Sequence, residues 1–228
     1  MRMVFVGVVI VLAAVIVEPV LSQANVRILR TGVYLIEPPR FLPDERWFGL
    51  LTGNPDGWTL RRVSPRAVSV KAICGDQAAE ISADVDGVLF LVNGVRGLSE
   101  GSIVTTIPAP RVLYPGEWVD ISIRRGDGYA LEALGRAIRE DGDTILTDYQ
   151  FWVRRGQQAQ MIASFERNGL DNPRQVVWSG DLDRDLQPDI LFDLPLGDVG
   201  SNYVLFLSSL RVAEQLVARV ADFSTPGC

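Results

Sequence analysis

The sequence contains no histidine. This absence excludes Ser–His and Cys–His catalytic pairs and the usual zinc sites, and it removes the commonest general base. Lysine occurs once, at Lys71, and the formal net charge is −6. An acidic chain without a run of basic residues is a poor partner for nucleic acid, and no glycine-rich phosphate loop is present. The composition therefore predicts no nucleic-acid binding and none of the common histidine-based enzymes.

Cysteine is nearly absent as well, because Cys74 and Cys228 are the only two. Two cysteines cannot build a zinc site alone. In an oxidising compartment an even pair usually forms a bridge, so we expect a Cys74–Cys228 disulfide that ties the C-terminus to the first half of the chain. The alternative is two independent thiols.

Long apolar runs are missing except near the N-terminus, where residues 3–17 are almost wholly apolar and follow Arg2. This run is shorter than the ~20 residues that a membrane-spanning helix needs. Ser22 and Ala24 place small residues at the −3 and −1 positions of a secretory cleavage site. We expect a signal peptide over residues 1–24 and a secreted or periplasmic mature protein without a stable membrane span. An uncleaved N-terminal anchor is the alternative.

Helical periodicity is also scarce in residues 25–228, where short alternating strands are separated by turns. This pattern predicts an all-β antiparallel domain, either sandwich-like or a partly open barrel. We expect one domain, with a possible subdomain division near residues 107–115. Asp86-Gly87 predicts a hairpin between the strands around residues 80–82 and 88–92, and the charged segment 135–148 is expected to be a loop.

What the chain does have is one stretch dense in carboxylates, Gly180 to Asp193. Four of its Asp residues stand at relative positions 1, 3, 5 and 9, before an apolar run; they are Asp181, Asp183, Asp185 and Asp189. Carboxylates this close repel one another, and calcium takes six to eight oxygen ligands from such a loop. A solvated acidic β-turn without a metal is the alternative. The loop is not an EF-hand, because position 12 is Phe192 and the flanks are strand-like.

The Asp-x-Asp-x-Asp spacing, followed by Pro188-Asp189 and an apolar strand, resembles the calcium loop of FG-GAP and VCBS-type repeats. The resemblance implies a calcium ion held in a C-terminal hairpin by side-chain oxygens of the four Asp residues and by the backbone carbonyl of Gln187. Such loops usually carry glycine at position 6, where φ is positive, whereas this chain has Leu186. A side chain at positive φ costs roughly 1–2 kcal/mol, so either the site is weakened or the loop turns differently at Leu186.

A softer resemblance covers most of the mature chain and implies no activity. It connects the sequence with an uncharacterised group of secreted bacterial proteins that have one C-terminal Asp-rich loop. The segments that carry it are Tyr114–Gly116, Leu131–Gly135, Thr147–Tyr149, Leu205–Ser209 and Gly227–Cys228. Propellers and solenoids require several similar units, and the Asp-rich loop occurs once.

Two functions remain compatible with these patterns. The first is an exported, non-enzymatic β domain with one structural calcium ion, which recognises or scaffolds an unknown protein or glycan partner. The second is a carbohydrate-active hydrolase that uses paired carboxylates instead of histidine, with Glu132 and Asp148 as the least ordinary acids. The five tryptophans could include a sugar-stacking face, although core packing is the default for each. Trp178, just before the acidic loop, is expected to pack beneath it.

Export and the disulfide can be checked by one measurement of intact mass. The exported protein should have the mass of residues 25–228, be lighter by two hydrogen atoms than the reduced chain, and take up no thiol-alkylating reagent, because both cysteines survive cleavage in an oxidising compartment. The reduced and denatured protein, which should take up two labels, is the control. An intact Met1 start on a membrane-bound form, or two labels without reduction, would contradict the prediction.

Overall fold

The computed structural model describes residues 26–53, 57–71, 77–140, 143–169, 174–194 and 200–225. Within these ranges every regular element is a β-strand. The strands, in chain order, are β1 (Arg27–Arg30), β2 (Gly32–Tyr34), β3 (Trp47–Gly53), β4 (Gly57–Val63), β5 (Pro65–Lys71), β6 (Gln77–Ala83), β7 (Val88–Asn93), β8 (Gly101–Ser102), β9 (Thr105–Ile107), β10 (Arg111–Val112), β11 (Trp118–Asp120), β12 (Tyr129–Glu140), β13 (Asp143–Arg155), β14 (Gln158–Gly169), β15 (Gln175–Gly180), β16 (Asp189–Asp193), β17 (Ser201–Leu207) and β18 (Ala218–Thr225).

These strands form four antiparallel sheets. The central sheet has the order β10-β15-β16-β17-β18, with β9 also paired to β15. A five-stranded sheet has the order β1-β7-β3-β4-β8, a four-stranded sheet the order β11-β12-β13-β14, and a small sheet the order β2-β6-β5. The predicted all-β antiparallel class is confirmed, and the sheets are consistent with a sandwich rather than a closed barrel.

The central sheet is buried on both faces. Leu191, Tyr203 and Leu205 belong to one hydrophobic cluster, which they share with the five-stranded sheet. Their neighbours along the chain, Phe192 and Val204, belong to a second cluster, which they share with the four-stranded sheet. Because adjacent residues of a strand point to opposite faces, the central sheet lies between the five-stranded sheet and the four-stranded sheet.

Two-sided burial explains the sequence of the central strands. A strand with one solvated face alternates apolar and polar residues, whereas a strand covered on both faces reads as a continuous apolar run. All five residues of β16 are buried, as are the last six of β17. Aromatic rings fill the layer towards the four-stranded sheet, where Phe192 contacts Phe151 with ring centroids 4.9 Å apart and Phe206 at 6.2 Å.

The hairpin predicted at Asp86-Gly87 is wrong. Strand β6 pairs with β2 and β5, whereas β7 pairs with β1 and β3, so the turn passes the chain from the small sheet to the five-stranded sheet. Asp84 fixes this crossing, because its Oδ1 accepts a hydrogen bond of 2.7 Å from the Ser64 amide. Asp86-Gly87 does form a turn, but the strands on its two sides, β6 and β7, belong to different sheets.

The loop expected over residues 135–148 is also wrong, since β12 continues to Glu140 and β13 begins at Asp143. Gly135 has φ +144° and lies at a β-bulge, where the register shifts between Leu134 and Arg136. A Cβ there would lie 3.0 Å from the Thr147 carbonyl oxygen. Glycine therefore bends this hairpin without ending it, and beyond the bulge β12 is exposed, which explains its charged sequence.

Other expectations meet the structure only in part. The segment near residues 107–115 contributes β9 and β10, which both pair with β15 of the central sheet. None of the described segments is a helix able to span a membrane. Residues 1–24, Cys74 and Cys228 lie outside the described residues, so the signal peptide and the disulfide stay predictions, as does the single-domain organisation.

Candidate metal centre

The acidic loop connects β15 to β16 at one end of the central sheet. The two strands are paired up to Gly180 and Asp189, so residues 181–188 form the connection. Asp181 and Asp183 are 3 % and 6 % exposed, and Asp189 is fully buried. Carboxylates are almost never buried without a partner. This loop is therefore not a solvated turn.

Asp181, Asp183 and Asp189 bring their carboxylate oxygens together. One oxygen from each lies within 4.8 Å of the other two. Calcium–oxygen distances are about 2.4 Å, so oxygens on opposite sides of one ion are about 4.8 Å apart. Three of the four predicted Asp ligands thus form a cluster that could hold a metal ion.

Two oxygens of this cluster have no hydrogen-bond partner. Asp181 Oδ1 and Asp183 Oδ1 are both buried and unpartnered. The second oxygens of the same groups are satisfied, since Asp181 Oδ2 accepts from the Leu186 amide at 3.1 Å and Asp183 Oδ2 accepts from the Ser209 hydroxyl. An unsatisfied buried oxygen costs about 1–3 kcal/mol, more when it is charged. A bound cation would satisfy both orphaned oxygens, and an all-oxygen donor set suits a hard cation.

Asp189 holds the geometry of the cluster. Its Oδ2 accepts a hydrogen bond of 2.8 Å from the Leu182 amide, and its Oδ1 accepts one of 2.9 Å from the Ser208 amide. The first bond closes the loop on itself, and the second joins it to the end of β17. Asp189 therefore links the loop to a residue nineteen positions further along the chain.

The remaining predicted ligands lie beside the cluster. Asp185 is outside the group of three, and its oxygens lie 3.1 and 3.0 Å from the Ser208 hydroxyl. Gln187 uses its side chain, since its Oε1 accepts from the Tyr129 hydroxyl at 2.9 Å and its Nε2 donates to Asp185 at 3.2 Å. Ligation by Asp185 and by the Gln187 carbonyl stays a prediction.

Burial disfavours the charged form of each clustered carboxyl group. It raises the pKa of Asp181, with the neighbouring Asp185 charge adding to the effect. Burial likewise raises the pKa of Asp183, and it raises that of Asp189 well above its usual value, with the charge of Asp183 as the next cause. Without a cation the cluster therefore tends to take up protons.

The loop bends through left-handed backbone at two residues. Arg184 has φ +65° and Leu186 has φ +66°. Position 6 therefore has positive φ although it is Leu186 and not the usual glycine, so of the two alternatives given above the strained one is present. Arg184 turns its guanidinium to the carbonyl oxygens of Ser99, Glu100 and Ser102, at 3.3, 3.1 and 3.4 Å. The one basic side chain of the loop thus fastens it to a neighbouring segment.

That segment, residues 97–105, encloses the loop from the side of the five-stranded sheet. The Asp181 amide donates to the Val104 carbonyl at 2.9 Å, and the Ile103 amide donates to the Trp58 carbonyl at 3.0 Å. Gly97 has φ +87°, and a Cβ at this position would collide with the Asp183 carbonyl oxygen. Residue 97 must therefore be a glycine for the segment to lie this close.

Trp178 packs beneath the loop as predicted. It is fully buried, shares a hydrophobic cluster with Leu182, and contacts the Trp58 ring at a centroid distance of 6.3 Å. Its Nε1 donates to the Thr105 hydroxyl at 3.3 Å. The apolar floor keeps water away from the carboxylates, which strengthens any electrostatic interaction there.

Sequence reasoning missed Ser208 and Ser209, which supply hydroxyl groups to the cluster. Two serines follow the apolar strand β17, but nothing in their spacing shows that β17 ends beside the loop. Tyr129 was missed for the same reason. Their roles follow from tertiary contacts.

The two acids considered for hydrolysis are both paired with arginine. Glu132 bonds to Arg154, and Asp148 lies 3.9 Å from Arg136 with both side chains largely exposed. These ion pairs give the hydrolase hypothesis no support.

Comparison with protein-family models, with curated proteins and with solved structures gave no match for this chain. The likeness to FG-GAP and VCBS-type calcium loops therefore rests on the spacing of residues 181–189 alone.

The strain at Leu186 gives a testable prediction. Leu186→Gly should raise the free energy of unfolding by about 1 kcal/mol, because glycine adopts positive φ without a Cβ penalty. The side chain is 42 % exposed, so little packing is lost. Leu186→Ala is the control, since it removes the side chain but keeps the Cβ, and it should stay near wild type in urea unfolding. Equal effects of the two variants would show that strain at this residue is not important.

The raised pKa values give a pH dependence of known sign. Between the usual Asp pKa of about 3.9 and the raised values, the folded protein binds more protons than the unfolded chain. The free energy of unfolding of metal-stripped protein should therefore increase as the pH falls from neutral towards about 4. Urea titrations at several pH values measure it. Asp183→Asn, which cannot titrate, should reduce the slope, and an unchanged slope would contradict the assignment.

Proposed function

We propose that the protein is an exported, non-enzymatic β-protein whose acidic loop holds one structural calcium ion, and that it serves recognition or scaffolding at the cell envelope or outside the cell. The observation that carries the proposal is the pair of buried, unpartnered oxygens, Asp181 Oδ1 and Asp183 Oδ1. They lie in a cluster of three carboxylates, all raised in pKa by burial.

The ion would connect all three main layers. Asp181 and Asp189 belong to the β15–β16 hairpin of the central sheet, and the Asp181 amide is bonded to the segment that leads from the five-stranded sheet. Gln187, in the same loop, accepts from Tyr129 at the start of β12 in the four-stranded sheet. A cation that fixes the loop therefore stabilises the contacts between sheets, which is a structural role.

Calcium is preferred over other ions on chemical grounds. The donors are carboxylate and hydroxyl oxygens on a short loop, and calcium accepts flexible geometries with six to eight oxygens. Magnesium demands a nearly ideal octahedron and keeps several waters, which this enclosed cluster accommodates less well.

The predicted export of the protein is supported by the apolar run at residues 3–17 and by the small residues Ser22 and Ala24. Millimolar extracellular calcium would also suit a weak site.

Thermal and urea unfolding with calcium or with chelator test the ion. A ligand that binds only the folded state adds RT ln(1 + [Ca]/Kd), which is about 2.7 kcal/mol at a hundredfold excess over Kd. Asp183→Asn should lose most of this gain, while its metal-free form should be at least as stable as wild type because one buried charge is removed. The matched control is Asp86→Asn, in an exposed two-carboxylate turn, which should keep the full gain.

Three outcomes would contradict the calcium assignment. The first is a wild-type protein that melts at the same temperature with calcium and with chelator. The second is an equal gain from magnesium at the same concentration, which would point to a different ion. The third is an Asp183→Asn variant that responds to calcium as fully as Asp86→Asn does.

A further inference from the structure

The outer face of the four-stranded sheet carries a row of four side chains that cross all its strands. The register pairs Trp118 of β11 with Glu132 of β12, Glu132 with Trp152 of β13, and Trp152 with Met161 of β14. Residues directly opposite in antiparallel strands point to the same side. The other side of the sheet faces the core through the alternate residues of the same strands. The row therefore lies on the face away from the core.

The ends of the row are unusually exposed for their residue types. Trp118 is 64 % exposed and Met161 is 48 % exposed, while Trp152 is half-buried. The other three tryptophans that the structure describes, Trp47, Trp58 and Trp178, are all buried in the core. Trp118 and Trp152 are thus the two described tryptophans whose indoles reach the surface.

The charge of Glu132, the one charged residue of the row, is balanced by Arg154 of the neighbouring row. Glu132 bonds to Arg154, and this guanidinium lies over the Trp152 ring at 5.9 Å. The Trp152 indole N–H donates to Gln150 at 3.0 Å. The centre of the row therefore offers donors and acceptors without a net charge, which complements an uncharged ligand rich in hydroxyl groups.

The dimensions of the row select a narrow, extended occupant. Four strands set side by side span about 14 Å, and the residues of one row occupy about 7 Å along the strand, so the area is on the order of 100 Å². A stable protein partner buries about 800 Å² per side. The neighbouring row on the same face contains Asp120 and Arg154, so charged side chains lie along one edge of the row of four. A second protein is therefore a poor fit, whereas a single sugar chain fits.

We propose that Trp118 and Trp152 bind an extended, uncharged β-1,4-linked glycan, whose sugar rings stack on the two indoles and whose hydroxyl groups bond to Glu132 and Arg154. Trp118 and Trp152 are two strands apart, or about 10 Å, which is close to the length of a disaccharide unit in such a chain. Every second sugar of a flat β-1,4 chain presents the same face. The inference rests on the proposed recognition role and names its partner class.

The test is titration of the exported protein, in buffer containing calcium, with cellohexaose and chitohexaose, followed by calorimetry and tryptophan fluorescence. Maltohexaose, whose α-1,4 linkage curls the chain, is the ligand control. At least one β-1,4 hexasaccharide should bind, with maltohexaose weaker by about tenfold or more. Trp118→Ala should weaken binding by about tenfold without a change in melting temperature, because the side chain is exposed.

Two further variants sharpen the test. Trp152→Ala should also weaken binding by about tenfold, and its melting temperature reports any loss of packing, so Trp118→Ala decides the question if this variant is destabilised. Tyr114→Ala is the matched control, because Tyr114 is an exposed aromatic residue that precedes β11 and lies outside the row. It should bind the hexasaccharide as wild type does.

The proposal is overturned by any of four results: no hexasaccharide binding at about 1 mM, equal binding of maltohexaose, wild-type affinity of Trp118→Ala, or a dimer that Trp118→Ala turns into a monomer. The last result would make the row a contact between two copies. Failure of the calcium site is distinguishable, since it appears as identical melting with calcium and chelator whether or not the glycan binds.

Discussion

The structure depends on the burial of one sheet between two others. Because β15, β16 and β17 are covered on both faces, the loop at the end of the β15–β16 hairpin emerges between layers instead of into solvent. Residues 97–105 cover the loop on one side, and Tyr129 of the four-stranded sheet contacts it on the other. Carboxylates in such a place lose their hydration, and the protein supplies only part of the replacement through amides and serine hydroxyls. The two oxygens left unpartnered are a direct result of this architecture.

The same constraint explains why several hydrogen bonds to backbone groups hold the loop in place. Buried carboxylates repel one another more strongly in a low dielectric than in water, so the chain around them must be fixed before an ion can bind well. Asp189 secures it to Leu182 and Ser208, while Arg184 fastens it to three carbonyl oxygens of the neighbouring segment. Positive φ at Arg184 and Leu186 is the conformational cost of this path. Strain of this kind persists only where the surroundings over-determine it.

Local patterns in the sequence predicted most strands, the acidic loop and the burial of Trp178, but they left open whether Leu186 has positive φ. These patterns gave wrong predictions where the structure depends on which strands pair with each other. The Asp86-Gly87 turn joins two sheets, and Gly135 bends a hairpin that its charged residues had suggested was a loop. The sequences of β16 and β17 are continuous apolar runs, which indicate burial on both faces, but such runs do not show which sheets lie against those faces. Ser208 and Tyr129 could not be assigned, because only tertiary packing brings them to the loop.

The two proposed sites lie in different environments, since the acidic loop is buried and the row of Trp118, Glu132, Trp152 and Met161 is on the surface. In the buried loop the low dielectric strengthens the attraction between a single ion and the carboxylates. The row lies on the outer face of a sheet whose inner face is locked into the second core cluster by Tyr129, Leu131 and Phe151. Side chains on packed strands lose little further freedom when a ligand arrives, and an indole has only two side-chain torsions to fix. The Tyr129–Gln187 bond places the start of β12 against the loop, three residues before Glu132. The acidic loop and the row have no residue in common, so the two sites can be tested independently.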